Sequence, residues 1–385
     1  MTGRVLIYVQ HLLGTGHYVR AAALAEAMTD VGLTVTFVAG GLPVVGHDVR
    51  CARFVQLPPA RATGADFKGL ADAEGRDITE AWKQKRTAAL LDTLEETRPD
   101  MVITELFPFG RHKMRFELEP FVERIHAMQP RPLLVSSVRD ILIPSPKALR
   151  IEQSIETARA AFDAVLVHGV ESISPLEASY PAAAEVRDLL VYTGYVAREG
   201  MPETQDGADE IVVAAGGGAM GQALFEAALA AHALGAGSGR VWRFLTGSNA
   251  DPRWQADFVA RAARQPGTIV ETARPDYRGL LANAALSVSQ AGYNTMMDLL
   301  ATGVRAVIVP FAGGKESEQA ARAEIFERAR LVTVVHEKGI EAAGLARAID
   351  ATLAGPPPPK VDARLDGAEV TAEWVRARIG TPAAD

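Results

Sequence analysis

The sequence predicts an α/β protein made of two doubly wound, parallel-sheet domains facing a central cleft, and three stretches carry that expectation. Residues 285–319, ALSVSQAGYNTMMDLLATGVRAVIVPFAGGKESEQ, read as strand, glycine turn, helix, strand, glycine turn, helix. Leu286 and Val288 lie in the first strand, and Met296, Leu299 and Leu300 share one helix face. AVIVP ends at Pro310, and Gly313-Gly314 leads into the charged helix start KESEQ. Residues 4–28 show the same order at the N-terminus. Residues 211–229 restart it as IVVA, a glycine loop and an amphipathic helix. Repeated βαβ units of this kind form a sheet whose ligands bind at the carboxyl ends of the strands.

The chain's 385 residues exceed what one core usually holds. Expected boundaries are 1–196 for the first domain, 197–209 for a polar linker, AREGMPETQDGAD, and 210–355 for the second domain. Residues 356–385 follow the rigid GPPPP break and end in a helix, AEVTAEWVRARI, expected to return to the first domain. A net charge of −7 argues against nucleic-acid binding. The single cysteine, Cys51, excludes an intrachain disulfide framework and any Cys-cluster metal site. The start, MTGRVLIYVQ, has no basic n-region, and no apolar run approaches the ~20 residues that span a bilayer. The expectation is a cytoplasmic enzyme, soluble or peripheral on the inner face of a membrane.

In the N-terminal half, RVLIYVQ (4–10) reads as a buried strand entering an Ala-rich helix with Leu24 and Met28 inward. Gly14-Thr15-Gly16-His17 occupies the junction, so small residues let a ligand approach the backbone where His17 can take a proton from a hydroxyl or water. Arg20, one turn on, is either a phosphate or carboxylate contact or an exposed helix charge. Strands are expected at 34–39, 53–57, 101–105, 132–142 and 164–169, helices at 81–97 and 147–162, and an irregular excursion at 60–80. Glu105 and the pair Arg139-Asp140 end their strands at the crevice edge. There Glu105 could hold an acceptor, assist His17 or simply cap its segment, and Arg139 could bind an anionic acceptor group or pair with Asp140 to pin a loop. Glu105 and Asp140 are the carboxylates that could act in place of His17. LFPFGRHKMRF (106–116) interleaves aromatic and basic side chains and reads either as a contact for anionic lipid or a phosphorylated acceptor, or as a half-buried loop.

In the C-terminal half, Gly216, Gly217 and Gly218 form a backbone nest suited to a diphosphate, without the Lys of a P-loop or the acidic residue of a dinucleotide fingerprint. Arg243 and Thr246, on the strand VWRFLTG, are expected near the cleft. Free amides at Gly292 to Thr295 could hold an anion, with the Ser289 and Thr295 hydroxyls as further donors. Asp298 shares the Thr295 face and could accept both hydroxyls of a ribose, while Glu318 and Gln319 would reach sugar hydroxyls. Taken alone, either turn could equally be structural.

SQAGYNTMMD followed by VIVPF and KESEQ resembles the C-terminal domain of the lipid II-forming N-acetylglucosaminyltransferase family and its GT-B relatives. The resemblance implies a GT-B fold and a nucleotide-diphospho-sugar donor, with Ser289, Gly292 and Thr295 at the diphosphate and Asp298 at the ribose. Glu318 and Gln319 would then read the donor sugar. Asp298 stands where that family has Glu, and Glu318 where it has Gln. The resemblance also sets ETARPDYR (271–278), with Arg274, at the base, where Ala273 replaces the usual aromatic residue. Gly14, Gly16, Gly217 and Gly218 join the donor-side set. GTGHYVR resembles the nucleotide-sugar hydrolase of pseudaminic acid synthesis, in the same superfamily.

The function expected is therefore an inverting transfer from a nucleotide-diphospho-sugar, UDP-linked by the resemblance, to a hydroxyl acceptor, lipid-linked or saccharide, with His17 as base. No cofactor and no metal is expected, because no DxD-like carboxylate pair accompanies either glycine loop. A nucleotide-sugar hydrolase is the alternative, and a non-catalytic nucleotide-sugar sensor is disfavoured by His17.

Overall fold

The computed structural model describes residues 2–12, 15–44, 48–63, 69–197, 200–215, 221–247, 250–311, 318–336 and 340–379. Gly14, Gly217 and Gly218 lie outside these residues, as do Gly313 and Gly314. Two compact units divide the chain, Met1–Val196 with Asp366–Asp385, and Ala197–Leu365.

In the first unit, β1 (Arg4–Val9) leads through α1 (Gly16–Asp30) to β2 (Thr34–Ala39) and β3 (Arg53–Gln56). The stretch expected to be irregular holds a short antiparallel hairpin, β4 (Arg61–Ala62) with β5 (Leu70–Ala71). Then come α2 (Glu80–Thr97), β6 (Met101–Glu105), α3 (Arg115–Ala127), β7 (Leu133–Arg139), α4 (Ala148–Ala161), β8 (Ala164–His168) and β9 (Leu190–Tyr192). Seven strands pair in the order β3-β2-β1-β6-β7-β8-β9, all parallel. Parallel strands are covered on both faces, so they must be apolar almost throughout. Accordingly, Val5 to Val9 are each at most 1% exposed. The strand order changes direction between β1 and β6, and at that switch point the loops diverge and leave a crevice at the carboxyl ends.

The second unit repeats the plan. It runs β10 (Ile211–Ala214), α5 (Gln222–Ala233), β11 (Trp242–Thr246), α6 (Pro252–Ala262), β12 (Thr268–Thr272), α7 (Tyr277–Asn283) and β13 (Leu286–Ser289). It continues with α8 (Tyr293–Thr302), β14 (Ala306–Ile308), α9 (Glu318–Arg328), β15 (Thr333–Val334) and α10 (Ala342–Ala354). The parallel sheet order β12-β11-β10-β13-β14-β15 puts its switch point between β10 and β13. Gly303 closes α8 in the left-handed conformation, at φ 64°, which only glycine adopts without cost.

The last helix, α11 (Gly367–Ile379), belongs to the first unit. Ala368, Ala372 and Val375 join the core formed by Ala21, Leu24, Ala25 and Met28 of α1. Gly367 N–H donates to the Tyr195 carbonyl at 3.0 Å, and a Cβ at Gly367 would lie 2.4 Å from the Gly194 oxygen. Glycine is thus required at this entry.

A buried ion pair fastens the crevice end of the first sheet. Arg86, fully buried, donates Nε to Glu117 at 2.5 Å, Nη2 to Gln10 at 2.6 Å and Nη1 to the Gly40 carbonyl at 2.7 Å. It ties the carboxyl ends of β1 and β2 to α2 and α3. Breaking such a pair typically costs about 3–5 kcal/mol.

The lipid-contact reading of 106–116 loses its anchors here. Phe107, Phe109 and Met114 are buried in the core, and Phe116 packs partly buried against it. The aromatic positions of this segment answer to packing. Among the described residues no helix is long and apolar enough to cross a membrane.

His168, at the end of β8, is fully buried between the Ser137 hydroxyl (2.8 Å from Nε2) and the Thr193 hydroxyl (2.9 Å from Nδ1). Burial pushes its imidazole down to about 3, and Arg20 acts the same way. The unfolded chain therefore binds a proton there, below pH ~6.5, that the folded chain refuses. Stability is complete above that pH and falls on acidification, by about 1.4 kcal/mol per pH unit for each such histidine. His168→Asn should flatten the loss by about that slope in urea unfolding at pH 7 and pH 5. An unchanged pH dependence would show that His168 is not the source.

Candidate active site

The first switch point assembles a histidine–carboxylate pair from elements adjacent in the sheet. His17 is the second residue of α1, and Arg20 follows one turn later, so both side chains leave the same helix face. Glu105 ends β6, the strand paired with β1, and meets both: its Oε1 is 2.5 Å from His17 Nδ1 and 2.5 Å from Arg20 Nη2. Arg111 Nη2 reaches Oε2 at 3.1 Å. The loop carrying Arg111 turns back through two residues with positive φ, Leu106 (67°) and Arg111 itself (60°). Side chains adopt that region only when their surroundings compensate, and here the compensation is the Arg111–Glu105 pair.

Arg139, at the end of β7, places Nη2 3.2 Å from His17 Nε2. A guanidinium can only donate, so Nε2 accepts and Nδ1 carries the proton, which it donates to Glu105. Burial pushes the His17 imidazole well below its ordinary value, with Arg139 and Arg111 acting the same way against the pull of Glu105. Burial also raises the Glu105 carboxyl, but His17, Arg111 and Arg20 override it and hold it far below the usual carboxylate range. The pair is thus a neutral imidazole on an anionic carboxylate. Its lone pair points away from the carboxylate, as in a general base.

The second switch point presents the turn between β13 and α8. Ser289 is buried at the strand end, Gly292 caps α8 and Thr295 stands in its first turn. Asp298, one turn on, receives Arg278 Nε at 2.9 Å. Arg278 also donates to the Gly200 carbonyl at 2.9 Å, which orients the carboxylate. Arg322, fully buried in α9, donates to the Ala291 carbonyl at 3.2 Å and to Glu318 at 2.7 Å, with its guanidinium 5.6 Å from the Tyr293 ring centre. The start of α9 is thereby fastened to the glycine turn. Gln319 accepts from the Phe311 N–H at 3.2 Å.

Residues 212–367 match the glycosyltransferase family 28 C-terminal domain. Among curated protein sequences none matches. The fold is similar to the calicheamicin glycosyltransferase CalG4, at 16% identity over 100% of both chains with a TM-score of 0.65. MurG of Acinetobacter baumannii is similar at 14% identity over 98% of this chain and 99% of its own, TM-score 0.62. UGT2 of Phytolacca americana, solved with UDP-2fluoro-glucose and pterostilbene, aligns at 12% identity over 98% and 95%, TM-score 0.61. At such identities these likenesses establish the fold, and the family 28 domain carries the enzyme class.

The chain is a GT-B glycosyltransferase. The comparisons give no support to a hydrolase.

Four expectations about this glycosyltransferase need correction. Arg274 does not offer its guanidinium to a donor: Nε and Nη2 bind Asp276 at 2.8 and 2.6 Å, and Nη1 binds Asp206 at 2.6 Å. Arg243 likewise sits near the start of β11, paired to Glu210 and Glu271, away from the carboxyl end. Arg20 is neither exposed nor aimed outward, because its buried guanidinium clamps Glu105. Asp140 is fully buried against Gly169, and the carboxylate that meets His17 is Glu105. Gly16 opens α1 with nothing within 4 Å of an added Cβ, which leaves room above the turn.

Three arginines were missed. Arg322 had a signal, the i,i+4 pair with Glu318, and Arg111 was visible only as part of a basic segment. Arg278 had none, since its partner lies twenty residues away.

Glu105→Gln should destabilise the fold strongly, because Arg20 and Arg111 would remain buried with no carboxylate to face. The expected loss in urea unfolding is about 3–5 kcal/mol. A loss below about 1 kcal/mol would mean the cluster is not held together by this charge.

Proposed function

We propose that this enzyme is an inverting, metal-independent transferase that moves a sugar from a UDP-sugar to an acceptor hydroxyl, with His17 as general base. The observation that carries the reading is the His17 tautomer, with Nδ1–H bound to Glu105 and the Nε2 lone pair outward. In the reaction Nε2 takes the acceptor's proton, and the resulting oxygen attacks the anomeric carbon as the bond to the diphosphate breaks. Glu105 stabilises the imidazolium that forms. The leaving diphosphate carries the negative charge to the N-terminus of α8, whose first amides at Tyr293 to Thr295 and macrodipole favour an anion.

Asp298, oriented by Arg278, is assigned to the ribose hydroxyls, and Glu318 and Gln319 to the donor sugar. UDP is favoured because similar structures hold it: LpCGTa was solved with UDP, and the Phytolacca americana enzyme with UDP-2fluoro-glucose. A lipid-linked acceptor rests only on the resemblance of SQAGYNTMMD and KESEQ to the lipid II-forming family. Because the diphosphate is assigned to helix amides and the α8 dipole, turnover should survive EDTA, and a strict need for added Mg²⁺ would overturn that assignment.

Arg139 has a defined part in this scheme. Its Nη2 occupies the Nε2 lone pair that the acceptor hydroxyl must reach. Arg139 therefore moves aside when the acceptor binds, and until then shields the base from water.

His17→Ala should lose turnover by roughly 10²–10⁴-fold, the usual contribution of a positioned base, while UDP affinity stays nearly unchanged. Thermal shift with UDP and steady-state transfer assays separate the two; full activity in the mutant would remove His17 from the chemistry. Because the imidazole is held neutral, the acid limb of wild-type kcat/KM should fall below the ordinary histidine value of ~6.5. Arg139→Gln should raise acceptor-free donor hydrolysis relative to transfer, and an unaltered ratio would deny the shielding role.

A further inference from the structure

At the other end of the first unit's sheet from His17 and Glu105, a cavity of about 490 Å³ opens at the amino ends of β1, β6 and β7. Its walls carry five arginines, Arg4, Arg98, Arg124, Arg131 and Arg378, against two carboxylates, Glu95 and Asp100. Such a cationic lining stands out in a chain of net charge −7.

Three of the arginines are paired: Arg4 with Asp100, Arg124 with Glu95 and Arg131 with Asp163. Arg98 and Arg378 form no close ion pair among the described residues, although, after Arg124, the Arg98 charge helps to hold down the Glu95 carboxyl. The Arg378 guanidinium carbon lies over the Trp374 ring, 3.7 Å from its centre. Arg98 ends α2 in the left-handed conformation, at φ 41°, where glycine is the favoured residue. The floor is apolar, formed in part by Met128, Pro130 and Leu133. Exposed ion pairs add little to stability, so fold stability does not account for five guanidiniums converging on one hollow. Guanidiniums with fixed planes are the groups that bind phosphate and carboxylate oxygens in pairs.

We propose that this cavity is a second ligand site, for a small soluble anion bearing two or more phosphate or carboxylate groups. Arg98 and Arg378 supply the charge that the local carboxylates leave unmatched, and the bound anion links α2 and α11 across the amino edge of the sheet. The site does not depend on the reaction assigned to His17.

Calorimetric titration of the full chain with inorganic pyrophosphate, at low salt and without nucleotide, tests it. The double substitution Arg98→Gln/Arg378→Gln separates this site from any diphosphate site on the second unit, whose residues it leaves untouched. The expected result is a pyrophosphate-binding event that the double substitution weakens at least tenfold. Both side chains are exposed, and an unchanged melting temperature without ligand verifies the variant's fold. The variant should bind UDP as the wild type does. Indifference to the double substitution, or binding only to anionic phospholipid vesicles and not to pyrophosphate, would each overturn the proposal. If UDP fails to bind at all, the donor assignment falls, and the double substitution still decides this site.

Discussion

A single buried carboxylate organises the N-terminal unit's chemistry. Glu105 is 2% exposed, yet it stays ionised because an imidazole and two guanidiniums surround it. An ion this deep would be expelled or neutralised without such partners. Its partners come from α1 and from the loop after β6, so the charge defines the geometry of both. The same interaction selects the His17 tautomer and leaves Nε2 facing outward.

Parallel-sheet topology explains why these groups meet. Neighbouring strands that run in the same direction end at the same edge, and the order reverses between β1 and β6. A residue after β1 and the last residue of β6 are therefore neighbours without any long loop to bring them together. In the second unit the corresponding reversal lies between β10 and β13, and the Ser289–Gly292 turn occupies it. Each unit has placed its polar groups where its own sheet leaves room for a ligand.

Arginine does much of the positioning in both units. Arg86 secures the ends of β1 and β2, Arg322 secures the start of α9 to the glycine turn, and Arg278 aims Asp298. Each is buried and reaches main-chain carbonyls as well as a carboxylate. A planar fork with five donors can satisfy several acceptors at once, which a lysine cannot. Three guanidiniums near the His17–Glu105 pair also leave that pocket with more positive than negative charge. Mobility of Arg139 there would be linked to whatever occupies the base.

Much was legible in the sequence alone. Continuous apolar runs identified the strands, because parallel strands are covered on both faces, and glycine turns marked where each helix begins. The i,i+3 spacing of His17 and Arg20, and the place of Glu105 at the end of its strand, are local properties that periodicity reveals. Partners distant along the chain are not local. Whether Arg20 faces solvent or Glu105, whether Arg274 meets a donor or Asp276 and Asp206, and whether Phe107 and Phe109 meet lipid or core depended on which segments the fold brings together. A charged side chain looks the same in sequence whether it waits for a ligand or already has a partner. Only the tertiary structure decides, because burial lets a charge persist only beside its counter-charge.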